Sequence, residues 1–125
     1  MDVAGARRVT DRLKDEVETL RTVAVGDTES QEYELLFMRE DIGRLYPEET
    51  RDEIFRDALL ERIAERKQEE LFDPLGSIEF TVRVFEGGIN LLVWGDGDAM
   101  FVGLGPEEDA IPVVTDICRD FVDGS

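Results

Sequence analysis

No histidine occurs in the sequence. Its absence removes every Ser-His-Asp or Cys-His arrangement and the usual near-neutral general base, so nucleophilic hydrolysis is not expected and no catalytic residue is assigned. Cysteine occurs once, at Cys118, which rules out an internal disulfide. That thiol lies in an apolar helical stripe with Ile117 and Phe121, beside Asp116 and Asp120 and with only Arg119 positive. A small buried hydrophobe in a reducing interior fits this setting better than a reactive thiolate. No apolar run approaches the roughly 20 residues that span a bilayer, and residues 1–8 lack a secretory hydrophobic stretch. The expected location is therefore the cytoplasm, with no membrane partner. Positive charge is scarce too, at 14 Lys and Arg, of which only Lys14 and Lys67 are lysine. The one basic group, Arg7, Arg8, Arg12 and Lys14, alternates with Asp11 and Asp15, and this disfavours nucleic acid.

What the chain has in excess is acid: 31 Asp and Glu, for a net charge of -17 over 125 residues. The acid is spread through every segment, so it is a property of the whole surface. At low ionic strength such a charge strains the compact state, whereas molar salt shortens the Debye length to about 3 Å and removes the penalty. Acidic excess with arginine preferred to lysine is the pattern expected of a salt-accumulating cytoplasm. It explains the charge without a special cation-binding role. Carboxylates are then too abundant for any pair to mark an acid/base dyad, and surface solvation is the simpler reading. Gly95-Asp96-Gly97-Asp98 offers oxygen ligands but lacks the calcium-loop pattern and its distal glutamate, so a hairpin turn is expected and no metal site. Gly103-Leu104-Gly105-Pro106 could cradle an anion, but no Walker lysine follows and Glu107, Glu108 and Asp109 occupy the place. It reads as a tight strand-to-helix connection, and no cofactor is expected.

Residues 2–20 place Val3, Ala6, Val9, Leu13, Val17 and Leu20 three or four apart, an amphipathic helical stripe. Residues 21–25 and 32–38 are rich in β-branched and aromatic side chains and predict a hairpin with a longer loop. Helical patterning resumes over 41–72, interrupted at Tyr46-Pro47, which predicts a short turn at 42–46 and then a long helix. That helix shows Phe55, Ala58, Leu59, Arg62 and Ile63 on one face, with Ile54, Leu60, Ala64 and Leu71 widening its apolar surface. It ends at Phe72-Asp73-Pro74-Leu75-Gly76. Ile78, Phe80, Val82 and Val84 alternate with polar residues as in a strand with one apolar face, and residues 89–94 and 99–104 are apolar on both faces, as inner strands are. Residues 111–122 close the chain with a helical stripe whose regular part is expected to start at Pro112. The order is α-β-β-α-β-β-β-α, an α+β class with a five-stranded antiparallel sheet covered by helices on both faces, as one domain spanning 1–125.

That order, with the stretch Ile89-Asn90-Leu91-Leu92-Val93-Trp94-Gly95-Asp96-Gly97-Asp98-Ala99-Met100-Phe101-Val102-Gly103-Leu104, resembles the roadblock/dynein-light-chain domain of the profilin-like group. Residues 33–41 and 80–88 also resemble small uncharacterised haloarchaeal proteins. The roadblock resemblance implies a strand order 2-1-5-4-3, with the middle helix on one face and both terminal helices on the other. It also implies dimerisation through the middle helix and third strand, here 50–72 and 77–86.

The expectation is a non-enzymatic homodimer, a scaffold or regulatory protein whose partner, on the resemblance, is a GTPase or signalling protein. Its candidate interface residues are Phe55, Leu59, Leu60, Arg62 and Ile63 on the helix, with Arg83 and Phe85 on the strand. The competing reading of each is ordinary packing in a monomer. The alternative function is a small-molecule sensor holding a ligand between sheet and helix near Trp94, Phe101 and Tyr33.

Overall fold

The structure, a computed structural model, describes residues 1–124. Helix α1 (Val3–Glu16) starts where the Asp2 carboxylate accepts the Gly5 N–H at 2.9 Å, and it buries Ala6, Val9 and Leu13 on one side. It stops earlier than the sequence stripe suggests. Val17 turns to extended backbone and Leu20 opens strand β1 (Leu20–Asp27), yet both remain buried. Asp27 begins the hairpin loop by accepting the Glu29 and Ser30 N–H groups, which holds its carboxyl below the usual range, and β2 (Tyr33–Met38) returns. Tyr46 and Pro47 separate a short helix α2 (Glu40–Leu45) from the long α3 (Glu48–Leu71). A 3-10 turn at Asp73–Leu75 follows, then β3 (Phe80–Phe85), β4 (Gly88–Trp94), β5 (Asp98–Leu104) and α4 (Ala110–Gly124). Helix α4 starts two residues before Pro112. Proline is tolerated there because first-turn N–H groups have no intrahelical acceptor to lose.

The strands form one antiparallel sheet in the order β2-β1-β5-β4-β3, as the resemblance implied. On one face α1 and α4 lie over Val23, Val25, Leu91, Met100 and Val102 and make the main core, which includes Cys118. Burial pushes that thiol up to about 12. On the other face α3 packs Ala58 and Leu59 over Leu92, Trp94 and Ala99, a smaller cluster, and α2 lies further along the same face. The turn at 95–98 is closed by the Gly95 N–H donating to the Asp98 carbonyl at 2.9 Å, with Gly97 at φ 81°. Asp98 is 3% exposed and its carboxylate accepts the Asp2 N–H at 2.9 Å, tying the start of α1 to β5.

Candidate functional site

The α3 face is where the fold leaves its chemistry unfinished. Strands β1, β5 and β4 sit inside the sheet, while β3 pairs with β4 alone and its outer edge is open. Helix α3 is fastened along this edge by carboxylates four residues apart. Glu61 is ion-paired with Arg83, Glu65 accepts the Thr81 hydroxyl at 3.2 Å, and Glu69 accepts the Ile78 N–H at 2.8 Å. Spacing of four places all three on one side of the helix, and the strand runs past them in the opposite direction.

The expected interface residues divide by position. Phe55 and Leu59 face the chain's own sheet and are buried, Phe55 edge-on to Phe101 with ring centroids 5.2 Å apart. Arg62 is largely covered; it lies 5.3 Å over the Trp94 ring and 3.5 Å from the Glu69 carboxylate. Leu60, Ile63 and Phe85 are open to solvent, Ile63 at 72%, and Arg83 is half exposed despite its ion pair. Leu71 is exposed too, as are Phe72, Leu75, Val82 and Val84, which the sequence reading did not single out as a surface. Of the thirteen large hydrophobics exposed among the described residues, eight fall between residues 60 and 85. Scattered apolar residues are normal on a surface; here they gather around the open edge of β3, with Phe85 on the α3 side and Val82 and Val84, paired with Leu91 and Ile89 of the main core, on the opposite side of the sheet, and such a concentration is the mark of an interaction surface.

Of the residues of the sensor alternative, Trp94 is closed off, Tyr33 is partly buried, and Phe101 also lines the larger cavity described below. Trp94 is 2% exposed and donates from Nε1 to the Thr81 hydroxyl at 2.9 Å. Tyr33 donates to Asp52 and packs its ring at a tilt against Phe55; burial, then that carboxylate, push it up to about 12. Only about 10 Å³ of space remains where Tyr33, Leu59 and Phe101 meet, room for no more than a single water.

A larger cavity, about 330 Å³, opens further along the same face between the sheet, α2 and the first turns of α3. Arg21, Asn90, Gly88 and Gly103 line it from the sheet, with Arg51 and Ile54 across from them. Arg21 Nη1 donates to the Gly87 carbonyl at 2.8 Å, whereas its Nε is buried with no acceptor in the chain. A buried donor left unpaired costs about 1–3 kcal/mol, more when charged. Sequence reasoning passed over Arg21 as the first residue of an inner strand. The hint was a charged residue there in a chain with few cations.

Solved structures that share the fold include three roadblock-type proteins. The Roadblock/LC7 domain from Streptomyces avermitilis has a TM-score of 0.70 at 15% identity, over 94% of this chain and 92% of that one. A protein described as MglB with tetrameric arrangement gives 0.58 at 13% identity, over 98% and 93%. The gliding protein MglB of Thermus thermophilus gives 0.55 at 13%, over 98% and 93%. At such identities the likeness is one of fold, and the fold is roadblock-like. No curated protein matches the sequence. Among family models, the one described as Domain of unknown function (DUF7522) matches residues 7–123.

Proposed function

From the premise that the chain belongs to the DUF7522 family, whose description names no activity, we propose that it is a non-enzymatic interaction module that pairs with a second copy of itself. The observation that carries this reading is the run of exposed apolar side chains from Leu60 to Phe85 beside the open edge of β3. Two-fold pairing of such edges satisfies their free N–H and C=O groups and covers both apolar faces at once. A stable pair buries about 800 Å² on each partner, an area that a 24-residue helix and its adjoining strand can supply. That one fold relative is described as having a tetrameric arrangement supports self-association, although the arrangement belongs to that protein.

The paired module acts as a scaffold or regulatory protein in a salt-rich cytoplasm, where the net charge of -17 keeps it soluble at high ionic strength. A GTPase or signalling protein is the heterologous partner that the roadblock resemblance suggests. Among the described residues no helix is long and apolar enough to cross a membrane.

The test is a pair of variants compared by sedimentation in about 2 M KCl, where surface charge is screened. Leu60→Glu is expected to abolish self-association and keep the helical circular dichroism, because Leu60 is 45% exposed and buries little in the single chain. Val113→Glu on α4, equally exposed at 44%, is expected to change nothing. Loss of association in both, or in neither, overturns the assignment of the face.

A further inference from the structure

The cavity beneath the start of α3 has an unusual wall for this molecule. Acid outnumbers base by 31 to 14 in the chain, yet two arginines line the cavity and no carboxylate does. Each guanidinium carries five N–H donors. Arg21 uses one on the Gly87 carbonyl and Arg51 one on the Tyr46 carbonyl, at 2.9 Å, and the buried Arg21 Nε has no acceptor.

The space is built into the backbone. A Cβ at Gly103 would stand 2.7 Å from the Thr22 methyl, and one at Gly88 would stand 2.7 Å from Arg21 Nη1, so a side chain at Gly103 would press on Thr22 and one at Gly88 would push the Arg21 guanidinium from its place on the floor. Ile54 and Phe101 give the cavity apolar walls. A concave, mainly apolar space with a few converging polar groups is the general form of a small-molecule site, and about 330 Å³ lies at the small end of the usual range of about 300–1,000 Å³.

We propose that this cavity binds a small organic anion, a molecule with an oxyanion head and an apolar body. The head meets the donors of Arg21 and Arg51, a charge-assisted contact to which guanidinium is suited by its planar fork. The body lies against Ile54 and Phe101. Carboxylate and phosphate heads share this chemistry. Neither arginine belongs to the exposed apolar surface, although Phe85 borders both that surface and the cavity.

The experiment follows backbone amides of the ¹⁵N-labelled full chain by NMR in about 2 M KCl, titrated with 2-naphthoate, 2-naphthyl phosphate and the neutral 2-naphthamide. The anions are expected to shift the amides of Thr22, Gly88, Asn90 and Gly103 saturably, and the neutral probe to bind at least about tenfold more weakly. The tighter of the two anions identifies the head group. Arg21→Gln is expected to weaken anion binding by at least about tenfold. If that variant loses its fold with the Gly87 contact, Arg51→Gln, which ties only one exposed turn, decides the matter. The proposal is overturned if the naphthamide binds as well as the anions, if the shifted amides lie at 60–63 and 71–75 and not around the cavity, or if no saturable shift appears by about 5 mM, beyond which affinity is too weak for a specific site. A monomeric chain that binds the anions supports this site and refutes the pairing.

Discussion

Arg83, on the edge strand β3, is ion-paired with Glu61, in the middle of α3. With Glu65 on Thr81 and Glu69 on the Ile78 N–H, the contact makes helix and edge strand one mechanical unit, so the apolar residues exposed on either belong to a single body.

The rungs of this ladder differ in worth. Arg83 is more than half exposed, and Arg83→Ala is expected to cost less than about 1 kcal/mol, as exposed ion pairs do. Glu69 has a side chain 18% exposed, accepts a backbone N–H and faces Arg62, so Glu69→Ala is expected to cost about 1–3 kcal/mol by leaving the Ile78 N–H without its acceptor and Arg62 without its counter-charge. Urea unfolding followed by the emission of Trp94, the single tryptophan, measures both. Equal losses would mean that the ladder does not hold the edge strand as described.

Alkaline pH should unfold the protein through Cys118 and Tyr33. The folded state raises the Cys118 thiol from 9.0 to about 12 and the Tyr33 phenol from 10.0 to about 12. In that window the unfolded chain has lost protons that the folded chain keeps, so the stabilisation is complete below pH 9 and is lost as pH rises toward 12. The slope is about 1.4 kcal/mol per pH unit for the buried thiol alone. Cys118→Ala is expected to flatten the fall of the urea midpoint above pH 9, and the native thiol to resist labelling reagents at pH 8. Fast labelling of the folded protein would contradict its burial.

Salt should decide whether the chain folds. Because -17 charges are confined to one small domain, far-UV circular dichroism is expected to show marginal stability near 50 mM KCl, where the Debye length exceeds about 10 Å, and cooperative unfolding above about 2 M. Equal midpoints at the two concentrations would refute the reading of the acidic surface.

Much of the architecture was legible because periodicity and turn chemistry are local signals. Strands 89–94 and 99–104 read as inner strands from unbroken apolar sequence, and both are inner. The facing of α3 was less so: its apolar residues lie on several sides, and spacing alone could not say that Phe55 and Leu59 turn to the sheet while Leu60 and Ile63 turn to water. Glu61, Glu65 and Glu69 carry a visible period of four, but among 31 acids they passed for solvated surface. The cavity was beyond local reasoning altogether. Its floor joins Gly88 and Gly103 from neighbouring strands with Arg21 from a third and Arg51 from a helix, residues that meet only once the sheet is assembled.

The central claim is that the apolar edge region from Leu60 to Phe85 is covered by a second copy. Light scattering of the wild-type chain in about 2 M KCl, from low micromolar up to about 100 μM, tests it most directly, since a specific pair of standard interface size associates well within that range. The account predicts a mass twice the 14.2 kDa of the single chain. A strictly monomeric mass at every concentration would contradict it.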